Sequence, residues 1–187
     1  MDHINKAVEV LNNGGVIIFP TDTAFGIGCR IDDHKAIERL FALRKRSLTQ
    51  PTPVLVSSLR MAQRYGGFTE EIIEKLVDPY WPGALTIIVP TKDRIDPLVQ
   101  KDGGVGLRVP DHQVALEIVE RIDCALLGSS ANFPGNPTPY RFEDLDSELV
   151  GLVDYVVPGE TTQMSASTVV STLLSPWEIL RLGAIEV

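Results

Sequence analysis

The sequence lacks three features that would each assign it to a broad class of protein. Its two cysteines, Cys29 and Cys124, are too few for a disulfide framework and match no zinc-ligand spacing. It has no excess of basic residues, since 17 Lys and Arg stand against 25 Asp and Glu, and the formal charge of −8 argues against coating nucleic acid through a general positive field. It also has no signal-peptide pattern at its N-terminus and no apolar run near the roughly 20 residues of a membrane span. We therefore expect two reduced thiols and a cytoplasmic enzyme with no membrane partner.

What the sequence does contain is a regular alternation of helical and strand patterns. Ile4, Ala7, Val8 and Leu11 recur at helical spacing, and Gly14 follows as a stop signal. Helices are predicted at residues 3–12, 60–65, 70–77 and 112–121, with a further one after Asp32 or Asp33. Strands are predicted at residues 16–19, 54–56, 85–89, 106–109, 125–127, 153–157, 168–173 and 178–182, and residues 20–30 are predicted to form a loop.

This alternation predicts an α/β fold with a mixed sheet. The 187 residues, of which 44% are hydrophobic, suffice for one packed domain, and no repeat or long linker divides them. We expect a single domain over residues 1–187.

The first candidate site is the polar stretch from Pro20 to Gly28, directly after the first predicted strand. Open α/β sheets commonly bind ligands at the carboxyl ends of their strands, so Thr21, Asp22 and Thr23 could hold a polar substrate. The alternative is that these side chains only stabilise local turns. The glycines do not complete a dinucleotide-binding fingerprint.

The second candidate is the basic triplet Arg44, Lys45 and Arg46 at the end of the second helix. Three cations beside a loop suit a polyphosphate. Basic residues in a last helical turn can equally be solvated and offset the helix dipole.

The third candidate combines a polar loop with two arginines in apolar strands. Ser129, Ser130 and Asn132 follow a predicted strand, but the flanking glycines are too far apart for the nucleophile elbow of a serine hydrolase. Arg108 and Arg181 interrupt apolar strand patterns, where a buried guanidinium needs an anion. Each arginine either pairs with Asp or Glu or binds a ligand, and together they describe a cleft for phosphate and carboxylate.

These segments resemble the signatures of the YrdC-like family of tRNA-modification enzymes, in the family's order and across nearly the whole chain. The matching segments are Pro20–Gly26 (P-T-[ED]-T-x-[YF]-G), Arg44–Arg46 with Pro51 (K-x-R-P-x-x-x-P), Trp81–Thr86 (W-P-G-P-[LV]-T), Leu107–His112, Ser129–Asn132, Ser167–Val170 and Arg181–Gly183 (R-x-G). The chain ends soon after the last of these, so the resemblance is to the single-domain bacterial form.

The resemblance implies a twisted mixed sheet flanked by helices, with a concave ligand-binding face. It also implies synthesis of L-threonylcarbamoyladenylate from L-threonine, bicarbonate and ATP with Mg²⁺, and, as partners, a tRNA-modifying transferase complex and tRNA. By the same resemblance Arg44 and Arg46 would serve catalysis, and no residue is assigned as a metal ligand. The residues that would contact ATP are Arg44, Arg46, Ser130, Asn132, Thr138 and Arg181. Those that would hold threonine are Thr23, Arg108, Ser129 and Ser167.

Three positions depart from the family pattern. Arg44 stands where the family usually has Lys, Ser47 replaces the usual Pro, and Leu55 lies where some longer relatives have a histidine near threonine. An arginine does not reproduce the point charge of a lysine, so the contact with phosphate changes in geometry. Two rival functions stay open: an RNA-binding or ribosome-maturation module that uses the same concave basic face, and a divergent paralogue, supported by Arg44, that keeps the fold without the activity.

Overall fold

The structure, a computed structural model, describes residues 3–44, 52–92 and 95–187. Within these ranges the helices are α1 (His3–Asn12), α2 (His34–Leu43), α3 (Leu59–Ala62), α4 (Glu70–Ile72), α5 (Asp78–Tyr80), α6 (Gln113–Ile122) and α7 (Ser147–Leu152), with a π-helical turn at Ile73–Val77 and a 3₁₀ turn at Phe142–Asp144. The strands there are β1 (Ile17–Pro20), β2 (Phe25–Arg30), β3 (Val54–Leu55), β4 (Leu85–Pro90), β5 (Gly104–Arg108), β6 (Leu126–Ser130), β7 (Tyr155–Val156), β8 (Thr168–Ser171) and β9 (Glu178–Arg181).

The described strands form one mixed sheet in the order β7-β1-β2-β6-β3-β5-β4-β8-β9. The pairs β1/β7, β3/β5 and β4/β8 are parallel. The pairs β1/β2, β2/β6, β3/β6, β4/β5 and β8/β9 are antiparallel. The predicted α/β class and mixed sheet are confirmed.

Helix α2 shows how local sequence signals place one part of the site. The carboxylate of Asp33 accepts a hydrogen bond from the amide of Ala36 at 3.0 Å, so Asp33 is the N-cap that the sequence offered as one of two choices. The apolar face of the helix is buried and includes Ile37, Leu40 and Phe41. The helix ends at Leu43, and this end carries Arg44 to the last residues of β6, where it contacts Ser129.

One prediction from sequence was wrong, because residues 20–30 are not all loop. They contain β2, which pairs with β1 and β6. In the sequence Gly26 and Gly28 indicate a turn, but in the structure both lie in this strand. The backbone of β6 lies so close that a Cβ on Gly28 would meet the carbonyl oxygen of Leu127 at 2.0 Å. The ring of Phe19 covers both Gly26 and Gly28 at 3.1 to 3.2 Å from the positions that their Cβ atoms would take.

The helices and strands enclose a continuous apolar core. Helix α1 packs against α6 and β7, and α6 packs against β1. The side chains of Leu11, Phe19, Ile27, Leu107 and Ile118 are fully buried. None of the helices in the described ranges combines the length and the apolar character needed to cross a membrane.

Candidate active site

A cavity of about 310 Å³ lies on one face of the sheet. Alternate residues of neighbouring strands line it, including Gly106 and Arg108 of β5 and Gly128 and Ser130 of β6, and residues at this spacing share a sheet face. The glycines contribute no side chain, which leaves room above the strands. The cavity brings together seven of the residues predicted from sequence, namely Thr23, Arg108, Ser129, Ser130, Thr138, Ser167 and Arg181.

Arg108 is held from three directions. Its Nη2 donates to the Asp22 carboxylate, its Nη1 donates to the Thr23 hydroxyl at 2.8 Å, and its Nε donates to the carbonyl oxygen of Gly83 at 2.9 Å. The sequence left open whether this arginine pairs with an acid or binds a ligand. The structure shows the pair with Asp22, and it also places Arg108 among the residues that line the cavity.

The loop between β1 and β2 presents the partners of Arg108. The hydroxyl of Thr21 donates to the carbonyl oxygen of Ala24 at 2.7 Å and accepts from the amides of Thr23 and Ala24 at 3.2 Å each. Thr21 therefore has the local turn role that the sequence gave as an alternative. This turn directs Asp22 and Thr23 toward Arg108, 86 and 85 residues further along the chain respectively.

Arg181 and Ser167 form a second polar group in the cavity. Arg181 donates from Nε to the carbonyl oxygen of Ser167 at 2.9 Å and from Nη2 to its hydroxyl at 3.0 Å. The hydroxyls of Ser167 and Thr86 are 2.9 Å apart. The contact joins one residue predicted to bind ATP with one predicted to bind threonine.

The two arginines of the cavity influence each other electrostatically. Burial is the main cause that lowers the pKa of the Arg108 guanidinium; Asp22 opposes this effect, and the charge of Arg181 adds to it. Arg181 was expected to be buried, but it lies on the exposed edge strand β9; partial desolvation nevertheless lowers the pKa of its guanidinium as well. Two partly desolvated cations that face one cavity repel each other, and an anionic ligand between them would relieve that repulsion.

Arg44 contacts the end of β6 and the loop that follows it, and it is not among the residues that line the cavity. It is buried, and it donates from Nη1 to the hydroxyl of Ser129 at 2.6 Å and from Nη2 and Nε to the carbonyl oxygen of Asn132 at 3.0 and 3.2 Å. These contacts need the planar fork of a guanidinium, which a lysine lacks. In the described contacts Arg44 thus positions this loop. Lys45 and Arg46 lie outside the described residues.

Ser130 and Asn132 are also brought together. The hydroxyl of Ser130 donates to Oδ1 of Asn132 at 2.6 Å, and Nδ2 of Asn132 donates to the carbonyl oxygen of Asn136 at 2.7 Å. Ser130 and Thr138 line the cavity, whereas Asn132 is not among its lining residues.

Three polar groups of the site were given no role from sequence, namely Gly83, Thr52 and Thr86. Gly83 supplies a carbonyl oxygen to Arg108, and no side-chain pattern signals such a role. Thr52 lines the cavity next to Pro53, and a single threonine in a proline-flanked segment carries no motif. Asp22 was part of a candidate segment, but its pairing with Arg108 was not foreseen.

Acidic, histidine and cysteine side chains are the groups that could bind a metal ion in this protein. Among the described residues no group of three or more such side chains could hold a metal ion.

The sheet and its cavity define an α/β fold in which arginines and hydroxyl groups surround one cavity. The sequence matches the family model of the Sua5, YciO and YrdC proteins, described as "Telomere recombination", over residues 9–183. The chain belongs to this family.

Two curated relatives and one solved structure show how far the similarity extends. The threonylcarbamoyl-AMP synthase of Bacillus subtilis (strain 168) is 30% identical over 95% of this chain and 54% of its own length. The threonylcarbamoyl-AMP synthase of Stenotrophomonas maltophilia (strain K279a) is 30% identical over 92% of this chain and 94% of its own length. The crystal structure of Pyrococcus abyssi Sua5 complexed with L-threonine superposes with a TM-score of 0.91 at 26% identity, over 98% of this chain and 55% of that one. The chain thus spans about half the length of the Bacillus subtilis relative and of Pyrococcus abyssi Sua5.

Proposed function

We propose that the protein synthesises L-threonylcarbamoyladenylate and pyrophosphate from L-threonine, bicarbonate and ATP. The observation that carries this proposal is the cavity itself, in which Arg108 and Arg181 face a common space lined by hydroxyl groups. The names of the curated relatives support the same activity, and one of these relatives matches over nearly its whole length.

In this proposal Arg108, Thr23 and Ser167 bind the amino acid. A guanidinium recognises a carboxylate with two parallel N–H donors, and the Thr23 hydroxyl lies 2.8 Å from Nη1 of that group. The related Sua5 protein that was crystallised with L-threonine supports this choice of ligand. Ser129, also predicted to contact threonine, lies against Arg44, where the amino-acid and nucleotide ends would meet.

The nucleotide end in this proposal consists of Arg44, Arg46, Ser130, Asn132, Thr138 and Arg181. Ser130 and Thr138 line the cavity, and Arg44 holds the backbone that carries Ser130 and Asn132. The contact between Arg181 and Ser167 brings this set next to the amino-acid set. Such proximity suits a reaction between the two substrates.

The reaction requires that the protein position the two substrates and neutralise their charge. It needs no covalent intermediate on the protein. The amine of threonine and bicarbonate form a carbamate with loss of water. A carbamate oxygen then attacks the α-phosphorus of ATP, and pyrophosphate leaves with its electron pair. Two anions must approach in line, which cations at the site permit by offsetting their repulsion.

We further propose that Mg²⁺ enters with ATP and is held by its phosphates, as Mg²⁺ commonly is. When bound, it would neutralise charge on the leaving pyrophosphate. The product would pass to a tRNA-modifying transferase complex in the cytoplasm, with tRNA as the final acceptor.

The test is an assay for pyrophosphate and for the adenylate, with ATP, Mg²⁺, bicarbonate and L-threonine present together and then omitted one at a time. We expect pyrophosphate release to require both L-threonine and bicarbonate, because the attacking carbamate is made from these two substrates. Equal release without threonine would rule out the proposed reaction. Binding of RNA that weakens steeply with salt, without any turnover of ATP, would instead support the RNA-binding rival.

A further inference from the structure

Thr86 is a buried residue of β4 that lies on the sheet face forming the cavity. Alternate residues of this strand, Thr86 and Ile88, line the cavity. The methyl carbon of Thr86 lies 3.2 Å from the position that a Cβ on Gly106 of β5 would take. Its hydroxyl oxygen lies 2.9 Å from that of Ser167. Thr86 thus turns its methyl group toward β5 and its hydroxyl toward the other neighbouring strand, β8.

The strand register places Ser167 on the same face as Thr86. Strand β4 lies between β5 and β8, and Thr86 pairs with Val169 of β8. Ser167 is two residues before Val169, so both side chains project to the same side, and both residues line the cavity. The Ser167 hydroxyl is therefore at the wall of the cavity, where it also accepts from Nη2 of Arg181 at 3.0 Å.

The strand on the other side of Thr86 carries Arg108. Strands β4 and β5 are antiparallel with Ile87 opposite Leu107, and the next pair in this register places Thr86 opposite Arg108. Directly opposed residues project to the same side with Cβ atoms about 5 Å apart. Thr86 therefore lies between the guanidinium proposed to bind the amino-acid carboxylate and the hydroxyl of Ser167.

The direction of these hydrogen bonds follows from the protons available. A guanidinium donates and cannot accept, so Arg181 occupies one lone pair of the Ser167 oxygen. Thr86 and Ser167 carry one hydroxyl proton each, and the contact between them uses one proton, which leaves the other to a ligand in the cavity. An oxygen that accepts from a cation is polarised and becomes the stronger donor. Ser167 is therefore the donor to the ligand, and Thr86 is the donor to Ser167.

We propose that Thr86 is a positioning residue, whose hydroxyl donates to Ser167 so that the Ser167 proton points into the cavity and is donated to a carboxylate oxygen of the bound amino acid. This inference rests on the proposed function, and it adds a residue that acts through Ser167 to those that motif similarity suggested. Arg181 and Thr86 occupy both lone pairs of the Ser167 oxygen in this arrangement. Ser167 consequently accepts nothing from the ligand, so it contacts the carboxylate and not the ammonium group of the amino acid.

The test is calorimetric titration of L-threonine and of Mg²⁺-ATP into wild type, Thr86→Val, Thr86→Ser, Ser167→Ala and the double variant Thr86→Val/Ser167→Ala. Thr86→Val should bind L-threonine about fivefold more weakly, because the Ser167 proton is no longer directed at the ligand. Thr86→Ser keeps the hydroxyl and should stay within about twofold of wild type. Ser167→Ala should weaken L-threonine binding about tenfold or more, since it removes a hydrogen bond to a charged acceptor. The double variant should match Ser167→Ala within about twofold, because Thr86 then has no hydroxyl to direct.

The matched control is Thr172→Val, which removes a hydroxyl that donates to the carbonyl oxygen of Ile88 at 2.9 Å away from the cavity lining. Its L-threonine affinity should equal that of wild type. The ATP affinity of Thr86→Val should change by less than about twofold. Thermal unfolding of every variant shows whether it is folded at the temperature of the titration.

Each other outcome contradicts the inference in a recognisable way. Unchanged L-threonine affinity in Thr86→Val would mean that this hydroxyl directs nothing, and effects that multiply to about fiftyfold in the double variant would mean that Thr86 acts independently of Ser167. Weaker ATP binding with unchanged L-threonine binding would place the Ser167 proton at the nucleotide. Wild type that binds L-threonine but releases no pyrophosphate would overturn the proposed function and leave the role of Thr86 standing, whereas wild type that binds no L-threonine would overturn both.

Discussion

Asp22 and Arg108 form a buried ion pair, with side chains that are 1% and 6% exposed. A pair this far from water loses the hydration of both charges, and it is retained only because each charge has a partner. One oxygen of Asp22, Oδ2, has no hydrogen-bond partner among the described residues. The pair therefore holds Arg108 in place at the edge of the cavity, and the stability of the site depends on it.

We expect Arg108→Ala to lower the free energy of unfolding by about 3 to 5 kcal/mol, because it leaves the Asp22 carboxylate buried without its partner. Urea denaturation measures this loss. The matched control is Arg64→Ala, which removes an ion pair with Asp123 whose side chains are 39% and 78% exposed. That change should cost no more than about 1 kcal/mol. Equal losses of unfolding free energy in the two variants would show that the buried Asp22–Arg108 pair stabilises the protein no more than the exposed pair does.

We expect Arg108→Lys to weaken L-threonine binding while ATP affinity changes little. Lysine keeps the positive charge but lacks the planar guanidinium group, whose three nitrogens contact Asp22, Thr23 and Gly83 at the same time. Thr23→Val should share this phenotype, because it removes the hydroxyl beside the same guanidinium. The measurement is calorimetric titration of each ligand into folded protein, with circular dichroism as the control for folding. A collapse of ATP affinity with intact threonine affinity would reverse the assignment.

We expect Arg46→Ala to lower turnover by roughly 30-fold to 1000-fold. This corresponds to the loss of about 2 to 4 kcal/mol of charge stabilisation at a desolvated phosphate site. Arg46 lies outside the described residues, so the prediction rests on the sequence motif alone. The measurement is the rate of pyrophosphate release at saturating substrates. Activity near that of wild type would mean that Arg46 makes no contact with phosphate.

We expect Gly28→Ala to destabilise the protein by about 1 to 3 kcal/mol or more, because the new Cβ would lie 2.0 Å from the carbonyl oxygen of Leu127. The matched control is Gly151→Ala in helix α7, where a Cβ would meet no atom within 4 Å. This control should be neutral or stabilise by about 0.5 to 1 kcal/mol, since alanine is the better helix former. Chemical denaturation of both variants decides the point, and equal stabilities would contradict the close approach of β2 to β6.

We expect the cost of Asp154→Asn to depend on pH. The pKa of Asp154 is lowered mainly by its hydrogen bond to Arg39, and the amide of Val16 also donates to its carboxylate. A lowered pKa means that the stabilisation is present above the unfolded pKa of about 3.9 and is lost as pH falls through the folded value. The pair is partly exposed, so the cost at pH 7 should be at most about 1 kcal/mol. Unfolding curves from neutral to acid pH should show the two proteins converge; a constant difference would contradict this.

The order of helices and strands could be predicted from sequence because periodicity is a local property. The Asp33 cap and the apolar face of α2 are examples, since each depends only on residues within one or two turns. Strand β2 was missed because its glycines resemble loop residues, and only contact with β6 explains them. The candidate site residues came from motif similarity, which names residues without giving their distances.

Residue types and their order along the chain were thus determined by the sequence, including two arginines in apolar strands and the polar loop that follows β6. The tertiary structure decided which of these groups meet: Arg108 with Asp22, Arg44 with Ser129, and Arg181 with Ser167. It also decided that the hydroxyl of Thr52 is buried without a partner in the described chain. Ion pairing and desolvation act through space over a few ångströms, and residues separated by 85 positions reach that distance only when the sheet forms.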